Sequence, residues 1–83
     1  MAKTSKMTRG SKYLLARAAK DSRLVHLIRS YSDLGRAGRY AESDQVESTI
    51  DDLVYDWVWD ADAGKWVARY TWRDIVAAAE ALR

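Results

Sequence analysis

The sequence predicts a small single-domain α+β fold in the order α-α-α-β-β-α, with helices packed on an antiparallel two-stranded β-hairpin. Three observations predict it. Residues 54–72 hold two alternating runs rich in Val, Trp and Tyr, separated by the turn-forming stretch Ala61-Asp62-Ala63-Gly64. On both sides of that unit, apolar residues recur at helical spacing. Residues suited to cap helices stand where those periodic stretches begin. A chain of 83 residues is one domain with a small core.

Residues 1–10, MAKTSKMTRG, are polar, basic and aperiodic, and they read as a flexible arm ahead of a domain at 11–83. Ser11 is placed to cap a helix from Lys12. Leu14, Leu15, Ala18 and Ala19 form its apolar stripe. A second stripe is Leu24, Leu27, Ile28, Tyr31 and Leu34. At about 100° per residue the two stripes fall on nearly opposite sides of one wheel. A continuous helix would therefore have two opposed faces to bury, one of them under a partner chain. The expectation is a break near Asp21-Ser22, where either residue can cap a second helix. Gly35 is the expected stop of that second helix. A third helix follows from Tyr40, with Val46, Ile50 and Leu53 buried and Asp44, Glu47 and Asp51 making a carboxylate face.

Trp57 continues the Val46–Ile50–Leu53 spacing, so this helix could run on to it. The β-branched and aromatic character of the stretch favours a strand from Leu53 onward. One register pairs Asp60 with Lys65, Trp59 with Trp66, Val58 with Val67, Asp56 with Arg69 and Tyr55 with Tyr70. Opposite charges meet twice, and each such cross-strand pair contributes about 0.2–1 kcal/mol. That register puts Trp57, Trp59, Trp66 and Trp72 on one face. A two-stranded ribbon is marginal in water, so the face is expected to be covered and its tryptophans to form the core. Trp59 and Trp66, nearest the tip, are the pair expected to be most exposed. Thr71-Trp72-Arg73-Asp74 reads as a capping box with a shortened acid. The last helix is expected to bury Trp72, Ile75, Val76, Ala79 and Leu82, its alanines lying close against indole rings.

Composition excludes several classes. There is no cysteine, hence no disulfide framework and no thiolate chemistry. The apolar runs are far too short for a membrane span, and no apolar segment follows the basic N-terminus as in a secretory signal. A cytoplasmic protein is the expectation. Absent Phe, Pro and Asn, with abundant Ala, Arg and Asp, suggest a GC-rich coding genome, bacterial or phage. His26 is the only histidine; Ser22 and Ser30 lie one turn either side, but nothing orients a base and no oxyanion site is visible. Asp60-Ala61-Asp62-Ala63-Gly64 resembles the start of a calcium loop, yet its glycine comes one residue early and no glutamate closes it. No phosphate-binding or dinucleotide fingerprint is present. No enzyme, no metal and no cofactor is expected.

The net charge of +2 hides an asymmetry. Residues 1–40 hold ten Lys and Arg against two Asp, whereas residues 41–83 hold four against ten Asp and Glu. Glu42 to Asp62 carries eight carboxylates and no basic residue. Pairing between the halves is the plainest account of this, at about 0–1 kcal/mol per surface pair. The order of helix, turn, helix and hairpin resembles a winged helix-turn-helix. The helix that would enter the groove is acidic, however, and phosphate would repel it. The sequence therefore favours a non-catalytic protein-binding module presenting Glu42, Asp44, Glu47, Asp51 and Asp62 to a basic protein or nucleoprotein complex. In size, charge layout and lack of catalytic motifs it is similar in type to small phage inhibitors of host defence, including anti-CRISPR proteins. The alternative is a nucleic-acid-associated regulator using Lys3, Lys6, Arg9, Lys12, Arg17, Lys20, Arg36 and Arg39. A second alternative is self-association, such as a homodimer, through the basic and acidic halves.

Overall fold

The computed structural model describes residues 7–83 and has the expected order: α1 (Arg9–Ala18), α2 (Ser22–Arg36), α3 (Tyr40–Val54), β1 (Trp57–Asp60), β2 (Lys65–Ala68) and α4 (Trp72–Ala81). Lys3 and Lys6, assigned to the basic arm, lie outside the described residues. The first helix starts three residues before Lys12, so Arg9 and Gly10 are helical. Its cap is Thr8, not Ser11. The Thr8 hydroxyl accepts the Ser11 amide at 3.0 Å, and the Ser11 hydroxyl accepts the Thr8 amide at 2.8 Å. Ser11 thus fills the place usually held by Glu or Gln in a reciprocal cap.

The break at Asp21-Ser22 is present. Asp21 caps α2 by accepting the Arg23 amide at 3.0 Å. The turn brings both apolar stripes to one core, where Leu14, Leu24 and Ile28 are buried with Tyr31. Helix α2 runs through Gly35 rather than ending there. The left-handed position is Gly38, with φ of 75°. Its amide donates to the Gly35 carbonyl at 3.1 Å, and the Arg39 amide donates to the Leu34 carbonyl at 2.9 Å. These two bonds are the Schellman arrangement, which satisfies carbonyls that a helix end leaves unpaired.

The junction of α3 and the hairpin also differs from expectation. Helical spacing prevails over β propensity, and α3 continues through Leu53 to Val54 because Ile50 and Val54 fall on its buried side. Tyr55 then adopts φ of 45° and stops the helix. A left-handed non-glycine residue costs about 1 kcal/mol or more, and its side chain gains no burial there. From Trp57 the predicted register holds: Trp57 faces Ala68, Val58 faces Val67, Trp59 faces Trp66 and Asp60 faces Lys65. Asp56 and Arg69 extend it as an ion pair of 2.9 Å. The Tyr55–Tyr70 pair does not form, because Tyr55 has left the strand direction and Tyr70 turns into the core.

The core is aliphatic and alanine-rich, not tryptophan-lined. Helix α1 packs on α4, and α2 packs on both α3 and α4. Ile75, Ala78 and Ala79 of α4 are fully buried, so the short alanines serve helix-to-helix approach instead of contact with indoles. Trp57, Trp59, Trp66 and Trp72 remain 38%, 55%, 63% and 52% exposed. Five large aliphatic side chains with Tyr31 and Tyr70 already close the small core. The hairpin projects from the helices and meets them at its base.

One carboxylate locks α1 to α4. Asp74, in the first turn of α4, accepts the Thr71 amide at 2.7 Å and the Thr8 hydroxyl at 2.5 Å. A Cβ on Gly10 would lie 2.2 Å from Asp74 Oδ2 and 2.4 Å from its Cγ. Gly10→Ala therefore destabilises the protein by about 1–3 kcal/mol through overpacking, although alanine is the better helix former by about 1 kcal/mol. Urea unfolding followed by circular dichroism checks this, and equal or higher stability contradicts the close approach. Trp66→Ala is expected to cost less than about 2 kcal/mol, against about 3–5 kcal/mol for a buried indole. The same unfolding measurement decides it.

Candidate functional site: an acidic, aromatic groove beside α3

Helix periodicity sorts the predicted acidic residues. At about 100° per residue, Tyr40, Asp44, Glu47 and Asp51 share one narrow face of α3. That face borders the buried line of Ser43, Ile50 and Val54. Glu42 points to another side and is held by Arg39, at 2.5 and 2.8 Å. Asp62 sits at the hairpin tip, where Asp60 Oδ1 accepts the amides of Asp62 and Ala63 at 3.0 and 3.1 Å. Three of the five nominated carboxylates are therefore together and two stand apart. The Asp60 bonds make the turn itself, which accounts for the calcium-loop likeness. Among the described residues no group of three or more His, Asp or Glu is placed to hold a metal ion.

Partial burial makes this face electrostatically costly. Burial raises the Glu47 carboxyl above its ordinary value, and the neighbouring Asp51 and Asp44 charges push it further. Burial also raises Asp51. The Tyr70 hydroxyl, donating at 2.7 Å, opposes that shift, while Asp52 adds to it. Tyr70 in turn holds its proton far more tightly than usual because it is buried and faces the Asp51 charge.

Above this face lies an open groove of about 500 Å³ between α2, α3 and α4. Its aromatic walls are Tyr31, Tyr40 and Trp72. Asp44, Glu47 and Glu80 are its carboxylates, and Arg36 its one cation. Arg36 makes no ion pair with them among the described residues. The Arg73 guanidinium stands 5.2 Å from the centroid of the Trp72 ring, so that ring already carries a cation on one face. Tyr40 was recognisable in the sequence, since 40, 44, 47 and 51 follow helical spacing. Tyr31 and Glu80 come from other helices, and only the fold adds them.

The nominated basic residues divide as well. Arg17 donates to the Tyr13 hydroxyl and to the Val54 carbonyl, both at 3.1 Å, placing a cation at the C-terminus of α3 where the helix dipole favours one. Arg39 is engaged by Glu42. Arg9, Lys12, Lys20 and Arg36 are exposed. Among the described residues, no ion pair joins α1 or α2 to the α3 carboxylates. Among the described residues the one ion pair from the basic half to an α3 carboxylate is Arg39–Glu42, so cross-pairing leaves Asp44, Glu47 and Asp51 unneutralised.

The hairpin offers a second exposed surface. Trp59 and Trp66 meet edge to face at 5.5 Å between centroids, with Trp57 on the same side. At the hairpin base, Asp56 accepts from the Tyr13 hydroxyl and pairs with Arg69. Those partners hold its carboxyl below the usual range. His26 is exposed on α2. No family model, curated protein or solved structure matches this chain.

Because the folded Glu47 holds its proton more tightly than the unfolded chain does, its contribution to stability improves as pH falls through the folded value toward the unfolded one near about 4.3. At neutral pH the ionised group is a net burden. Glu47→Gln is therefore expected to stabilise the protein at about pH 7 and to lose that advantage near about pH 3. Paired urea titrations of both proteins at the two pH values check this. A destabilising effect at neutral pH would mean Glu47 has a compensating cation.

Proposed function

We propose that this chain is a non-catalytic protein-binding module that presents an acidic surface to a basic protein or nucleoprotein complex. It acts as an inhibitor by competing with nucleic acid for the partner's basic surface. The observation that carries this reading is the shared face of Asp44, Glu47 and Asp51, which no ion pair among the described residues neutralises. Carboxylates crowded at a half-buried edge gain from an incoming cation, and such complementarity raises both association rate and specificity. Among the described residues no helix is long and apolar enough to cross a membrane. The setting proposed with this reading is that of a small cytoplasmic accessory protein of a bacterium or phage.

A second reading has its own observation. Arg9 and Lys12 are exposed on α1, Lys20 is exposed just beyond it, and none is ion-paired among the described residues. This surface suits phosphate, and with it a role as a nucleic-acid-associated regulator.

Fluorescence anisotropy separates the two. A labelled polybasic peptide and labelled duplex and single-stranded nucleic acids are titrated with the full chain at low and physiological salt. The acidic-surface reading expects salt-sensitive peptide binding that Asp44→Lys with Glu47→Lys weakens by about tenfold or more while the circular dichroism spectrum is kept. Indifference to the peptide, with nucleic-acid binding lost on Arg9→Glu and Lys12→Glu, replaces it by the second reading. Sedimentation at several concentrations reports head-to-tail self-association as a mass that rises with concentration and falls with salt.

A further inference from the structure

We infer that the groove between α2, α3 and α4 is a receptor for an arginine side chain carried by the basic partner. This rests on the acidic-surface reading and adds what that surface recognises. Three features of the groove converge on a planar cation. Among the described residues its carboxylates outnumber its cation three to one, with Asp44 and Glu47 from α3 and Glu80 from α4 set against Arg36. Its walls are aromatic, and Tyr40 and Trp72 are 68% and 52% exposed. Its volume of about 500 Å³ is that of a ligand cleft and is ample for one long side chain with flanking backbone.

Guanidinium suits this lining better than ammonium. It stacks flat on aromatic rings, pairs with carboxylates through two parallel bonds and sheds water more readily. Trp72 already accepts such a group from its own chain, since Arg73 lies over its ring. Neither Tyr40 nor Trp72 belongs to the buried core. Tyr40 opens α3 and Trp72 opens α4, each on the outer side of the core. Burial and the neighbouring carboxylates already raise the Glu47 carboxyl, so a bound cation relieves a cost the free protein carries.

The test compares an arginine-rich peptide with its all-lysine counterpart of equal length and charge, titrated by anisotropy into the full chain. The arginine peptide is expected to bind several-fold tighter. Tyr40→Ala and Trp72→Ala are each expected to reduce that preference by about three- to tenfold in affinity for the arginine peptide, with little effect on the lysine peptide. Both residues are exposed at helix starts, and circular dichroism verifies that the variants fold. Equal affinity for the two peptides, or binding unmoved by both variants, overturns the arginine receptor and leaves the acidic-surface reading intact. Failure of both peptides to bind at low salt overturns both readings.

Discussion

Two helices that are distant in sequence begin at the same carboxylate. Asp74 closes the first turn of its own helix through the Thr71 amide and reaches the Thr8 hydroxyl at the start of α1. Both helix starts carry partial positive charge, so one anion serves two dipoles. Gly10 is the only residue type that lets the helices come this near, because any Cβ would occupy the space of the carboxylate. With α1 and α4 joined, their buried Leu14, Ala18, Ile75, Ala78 and Ala79 supply five of the eleven core residues. Helix α2 covers them and carries α3 on its far side. The groove exists because α3 and α4 flank α2 without touching broadly, so its geometry descends from the crossing that Asp74 fixes.

The acidic face gains its character from position more than from charge number. Glu42, Asp52 and Asp62 are carboxylates of the same stretch, yet they stand on other sides or at the hairpin tip. Asp44, Glu47 and Asp51 share the face beside the buried side chains, and Glu47 and Asp51 are themselves partly buried, where charge is less well solvated and interacts more strongly. Tyr70 partly answers Asp51 from within the core. Asp44 and Glu47 face the open groove together with aromatic side chains from three helices. It is this placement beside aromatic rings, more than the number of carboxylates, on which the proposed preference for guanidinium rests.

Much of the architecture was legible in the sequence because it depends on local rules. The two opposed stripes of residues 12–34 required the break that Asp21 makes, and the charge and size pairing across residues 58–67 fixed the register. The errors arose where tertiary packing chose between two allowed patterns. Helical spacing through Ile50 and Val54 held α3 together past Leu53, against the β propensity of that segment. The shortage of other large residues favours inward tryptophans, but closely packed helices with buried alanines need less volume. Gly35 and Gly38 were equally good stops by type, and only the bonds to Gly35 and Leu34 distinguish them. The carboxylate face was readable from helical spacing, whereas Tyr31, Trp72 and Glu80 reach the groove from other helices and carried no local sign.

The hairpin's attachment has a consequence for how the protein opens. It is tied to the helices near one end, by the Tyr13 hydroxyl on Asp56 and by Tyr70, which stacks on Tyr13 with ring centroids 6.5 Å apart and donates to Asp51. Beyond those ties its tryptophan face is open to solvent. A ribbon held this way can fray from its tip while the four helices stay packed, so it forms a separate cooperative unit of lower stability. On this account, backbone amides of β1 and β2 are expected to exchange with solvent through openings that leave those of α2 protected.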